Sequence, residues 1–141
     1  MPIDLRWLIK EEVMFVRLEG TISVEDVTAY AERVTTLLDK STQCVHFIVD
    51  ARHIGYFPTD EERLAVHQSR FDHAHLGWIM LYGNPLFTSL ASRQLRHMPG
   101  VQSFVTTNYI SALEELMQRG IAMEEARLLT EASGHITNVR A

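Results

Sequence analysis

The chain has 141 residues, a formal net charge of −5 and a single cysteine, and Leu, Ile, Val and Phe fill 41 of its positions. That is the length of one domain with enough apolar side chains to bury a core, well above the ~20% of such residues below which chains stay disordered. One cysteine excludes an internal disulfide and multi-cysteine zinc or iron–sulfur sites, the acidic balance argues against unspecific nucleic-acid binding, and no apolar run nears the ~18 residues of a membrane span. With Asp4 and Arg6 where a signal peptide would be apolar, a soluble, cytoplasmic chain is expected.

Ile3, Leu5, Trp7 and Ile9 alternate with Asp4, Arg6 and Leu8, the period of a strand with one buried face. Lys10-Glu11-Glu12 turns the chain into a second strand, Val13 to Glu19, which Gly20 ends. The opening therefore reads as a hairpin. Ser23 is a plausible N-cap, with Glu25 and Asp26 at the positive helix end, and Val24, Val27, Ala31, Val34 and Leu38 recur at helical spacing up to Lys40. Val45-His46-Phe47-Ile48-Val49 is a β-branched run without alternation, the mark of a strand covered on both faces.

A loop is expected from Ala51 to Pro58, then a helix opened by the capping box Thr59-Asp60-Glu61-Glu62. Leu76 to Tyr82 is another buried strand, stopped by Gly83-Asn84-Pro85. Pro85 suits the first turn of the helix that follows, whose apolar face is expected from Leu86, Phe87, Leu90, Ala91, Leu95 and Met98. Val101 to Thr106 is a fifth, less hydrophobic strand, placed near an edge, and Ser111-Ala112-Leu113-Glu114 is a capping box for a helix that stops at Gly120 or resumes through Ala132. Strands alternating with helices demand an α/β domain with a mixed, mostly parallel sheet of about five strands and about four helices. Residues 1–120 are expected to form it, with 121–141 as a helical extension and tail.

Four groups of residues could carry chemistry. Asp50, Arg52 and His53 follow a buried parallel strand, where open α/β sheets place ligand contacts; the plainer reading has Asp50 accepting loop N–H bonds and Arg52 and His53 solvated. Gly83 and Asn84 put a helix start beside a strand end, a geometry that can hold an anion, although Pro85 removes one donor. His73 and His75, with Asp72 or Asp50, invite a metal reading, against which stands a polar turn with His73 at a helix C-terminus. From Ala74 to Leu113 there is no Asp or Glu, while Arg93 and Arg96 remain. With Ser89 and Ser92 these arginines are expected opposite Leu86, Leu90 and Leu95, facing solvent or an anionic partner.

Leu18-Glu19-Gly20-Thr21-Ile22, the strand Val45 to Asp50, His75-Leu76-Gly77-Trp78-Ile79 with Tyr82-Gly83-Asn84, and the helix opened by Ser111-Ala112-Leu113-Glu114-Glu115 together resemble the STAS-like superfamily, in particular its SpoIIAA-like branch of anti-sigma-factor antagonists. The resemblance runs from about Ile3 to Gln118. In those antagonists a phospho-acceptor serine follows an Asp, within Asp-Ser-x-Gly, at the start of the helix after the central strand. Thr59 stands at that place here, with Pro58 for the Asp and Glu61 for the Gly, and acids at 60, 61 and 62 repel an added phosphate. Relatives of this branch also resemble lipid-binding CRAL-TRIO domains.

The resemblance implies a non-enzymatic regulatory or protein-interaction domain that needs no cofactor. Its expected contact surfaces are the stretch from Asp50 to Thr59 and the helix from Leu86 to Met98, with an unidentified protein as partner. The first alternative is a binder of small apolar or anionic ligands, lipid or membrane surface, with a cavity beneath the helix from Leu86. A hydrolase using Asp50 and His53, or a metal at His73 and His75, is the third. A homodimer is expected, because Ile121, Leu128 and Leu129 need somewhere to be buried.

Overall fold

The computed structural model describes residues 2–58, 73–96, 98 and 100–118. The expected hairpin is formed by β1 (Ile3–Ile9) and β2 (Val13–Thr21). Its polar turn has no glycine, and Glu11 itself takes the left-handed conformation at φ 67°. Ser23 caps α1 (Val24–Lys40) reciprocally: its hydroxyl accepts from the Asp26 N–H at 3.1 Å, and its own N–H donates to the Asp26 carboxylate at 2.9 Å. Two of the otherwise unpaired N–H groups at the chain's entry to the helix are satisfied this way. Then come β3 (Val45–Tyr56), β4 (Leu76–Gly83), α2 (Pro85–Arg96), β5 (Gln102–Val105) and α3 (Tyr109–Gln118).

The strands lie in the order β1-β2-β3-β4-β5, with β1 antiparallel to β2 and all other neighbours parallel. β3 is therefore the middle strand and β5 an edge, as the hydrophobicity of each suggests. Helices α1 and α2 cover one face, where Val16, Phe47 and Leu81 meet Val27, Val34 and Leu95. Helix α3 covers the other, where Phe15, Ile48 and Met80 meet Ala112, Leu113 and Leu116. Successive strand residues point to opposite faces, so a strand covered twice needs an unbroken apolar run. That is the run from Val45 to Val49.

Several boundaries depart from expectation. The stretch expected as a loop from Ala51 is strand as far as Tyr56, because β2 also runs on past Gly20 and pairs with it, Glu19 with His53, Gly20 with Ile54 and Thr21 with Tyr56. Register shifts on either side of Glu19 and Gly20 absorb the extra length, and Gly20 serves as the bend at φ 64° rather than as an end. Helix α3 begins at Tyr109, and its cap is Asn108, whose side-chain oxygen accepts from the Ser111 N–H at 2.9 Å. Ser111 thus sits inside the first turn instead of capping it.

Helix α2 ends at Arg96 and is turned about its axis from the expected orientation: Leu95, Met98, Phe87 and Ala91 face the core as expected, but Thr88 is buried too, while Leu86 is 77% and Leu90 40% exposed. Thr88 tolerates burial because its hydroxyl donates to the Pro85 carbonyl at 3.3 Å. The helix expected from Thr59, Thr59 itself, and the 121–141 extension with its dimer contact lie outside the described residues. Among the described residues no helix is long and apolar enough to cross a membrane.

Candidate functional site

Asp50 is 1% exposed, on the middle strand, in register with Arg17 of β2 and Tyr82 of β4. A buried carboxylate must be matched by donors or it neutralises. Arg52, two residues along the same strand, supplies them: its Nε lies 3.0 Å from Oδ1 and a terminal nitrogen 2.9 Å from Oδ2, and its backbone N–H donates to Oδ1 at 3.0 Å. Arg17 stands behind with Nε 3.9 Å from Oδ2. Hydrogen bonding to Asp50 holds the Arg52 guanidinium above its ordinary pKa. The guanidiniums lie over aromatic rings, Arg17 over Phe15 at 5.9 Å and Arg52 over Tyr82 at 6.0 Å. The carboxylate is thus held mainly from its own strand, with Arg17 of β2 more distant. His53 is exposed, whereas Asp50 is buried beneath Arg52.

Gly83 and Asn84 are brought together for backbone reasons. Gly83 has φ +120°, and a Cβ there would sit 2.4 Å from the Ala51 carbonyl carbon. The chain needs glycine to pass this close to β3. Asn84 caps α2, its side-chain oxygen accepting from the Leu86 N–H at 2.9 Å and the Phe87 N–H at 3.2 Å. With those N–H groups engaged and Pro85 without one, the helix start is satisfied by its own cap.

His73 and His75 are also committed. His73 Nε2 lies 2.8 Å from Asp39 Oδ1, its Nδ1 accepts from the His75 N–H at 3.0 Å, and His75 Nδ1 lies 3.1 Å from the Leu38 carbonyl. Among the described residues no group of three or more His, Cys, Asp or Glu could hold a metal ion; Asp72 lies outside them.

A cavity of about 350 Å³ lies between α1, α2 and the sheet. Val27, Tyr30 and Val34 form one wall, Phe87, Ala91 and Leu95 the other, and Phe47, Val49, Ile79 and Leu81 the floor. Leu86, Leu90 and Tyr56 line it too while remaining exposed, Tyr56 at 59%, so they form its rim. Burial pushes the Tyr30 phenol up in pKa, leaving its hydroxyl a neutral group. Arg93 continues the exposed face of α2 at the i, i+4, i+7 spacing begun by Leu86 and Leu90, and Arg96 lies beside it, both exposed.

Sequence reasoning missed Arg17, Tyr30 and the rim. Arg17 carried a signal, the lone charge within Val13 to Leu18, and Tyr30 is three residues from Val27 on the buried stripe of α1. The rim had none, because Leu86 and Leu90 look like core residues until the buried side of the helix is known.

No family model and no curated protein matches the chain. Among solved structures, that of the anti-sigma factor antagonist SpoIIAA in its unphosphorylated form matches with a TM-score of 0.55 at 16% identity, over 84% of this chain and 99% of that one. The five-stranded, mostly parallel sheet and this likeness give the architecture: the chain has a SpoIIAA-like fold.

Proposed function

We propose that the chain is a non-enzymatic regulatory domain that works by binding another protein, without a cofactor. The observation that carries this reading is the surface around the cavity rim. Single exposed leucines are ordinary, but Leu86, Leu90 and Tyr56 share one opening, and Arg93 follows Leu86 and Leu90 along the exposed side of α2 on a segment without acids. An apolar patch continued by a cation fits a partner that presents apolar side chains beside a carboxylate. The likeness to an anti-sigma factor antagonist supports the same reading. Occupation of Asp50 by two arginines, and its separation from His53, weigh against the hydrolase alternative.

A photo-crosslinking side chain placed at position 86 in cells tests the reading, with the same group at Arg6 on β1 as reference. A discrete protein adduct at 86 that is missing at 6, and that re-forms as a stoichiometric complex from purified components, is the expected result. Equal labelling at both positions, or no complex on reconstitution, contradicts it.

A further inference from the structure

We infer that the cavity between α1 and α2 binds a single-chain amphiphile with an acidic head, its alkyl chain inside and its head at the rim beside Arg93. The cavity is near the lower end of the size range of small-molecule sites, with room for one chain. Among the described residues its lining holds no Asp, Glu, Lys, Arg or His, so an ionised head has no partner inside and its burial there is unfavourable. The polar side chains on that lining are few and neutral, Asn84, Gln94, Tyr30 and Tyr56. At the mouth the chemistry changes: Leu86 and Leu90 lead along the exposed side of α2 to Arg93, and the segment that carries α2 has no Asp or Glu from Ala74 to Leu113. An apolar interior and a cation along the exit match the two ends of one ligand. This inference concerns the cavity interior and holds whether or not a protein docks on the rim.

The test is calorimetric titration of the full chain with octanoate, decanoate and dodecanoate, each below its micelle concentration, and with dodecanol. Affinity should rise about fourfold for each added methylene, the increment for moving that group out of water. Ala91→Phe, and separately Val34→Phe on the opposite wall, should each weaken dodecanoate about tenfold or more, with circular dichroism confirming that at least one remains folded. Arg93→Glu should weaken dodecanoate and leave dodecanol unchanged. Native mass spectrometry of protein purified from cells then separates the sources of this chemistry: the mass of a free fatty acid or of a lysophospholipid each supports the site. No saturable binding of any chain, the result expected if the protein fills the cavity itself, overturns the inference. So does binding that ignores chain length and both cavity-filling variants.

Discussion

Asp50 is an acid placed in the middle of the sheet. Its carboxylate is buried and its donors come from Arg52, with Arg17 further off. Arg52→Ala should destabilise the fold by about 1–3 kcal/mol, because it leaves a buried charged acceptor short of partners. Asp50→Asn in that background should restore part of the loss, giving a non-additive double-mutant cycle in urea melts; strict additivity would show that the pair is not coupled. Gly83→Ala is a second residue-level test. It combines a positive φ with a Cβ driven into the backbone of β3, so a loss of about 1–3 kcal/mol is expected, and a neutral substitution would mean that β3 and β4 do not approach this closely.

At the scale of the element, helix starts were legible where the cap is a side chain next to its targets. Ser23 was read from its position, and the structure adds the return bond from Asp26. Ser23→Ala should cost about 0.5–2 kcal/mol. Hydrogen bonds from the backbone and hydroxyl of Ser23 hold the Asp26 carboxyl below its ordinary pKa. A carboxylate lowered in the folded state stabilises fully above its unfolded pKa and loses that contribution as pH falls through the folded one, so wild type and Asp26→Ala should converge in stability on acidification. A constant difference down to strong acid would remove the capping box. The extent of β3 was not legible, because a strand carried on past its apolar run depends on its neighbour: Ala51 to Tyr56 stays extended by pairing with Glu19 to Thr21. Nor was the orientation of α2. Leu86, Phe87, Leu90, Ala91 and Leu95 spread over a wide arc of the helix, and the buried side extends to a threonine that satisfies its own hydroxyl.

For the whole molecule, the strand order puts β3 between two covered faces, and the legible features were those set by burial: the number of described strands, the antiparallel first pair, the edge position of β5. Phe47, 2% exposed in that middle strand and on the cavity floor, should cost about 3–5 kcal/mol when truncated to Ala; a loss under about 1 kcal/mol in denaturant melts would place the strand elsewhere. The proposed binding surface was only half legible, since its residue types stand in the sequence but their exposure depends on packing. On the proposed function, the protein acts through the α2 face over the cavity, away from Asp50. The direct measurement is the affinity of the purified crosslinked partner for wild type, Leu86→Glu and Arg6→Glu. Leu86→Glu should bind about tenfold more weakly or worse, the loss of an interface anchor, with Arg6→Glu unchanged; undiminished binding by folded Leu86→Glu would contradict the account.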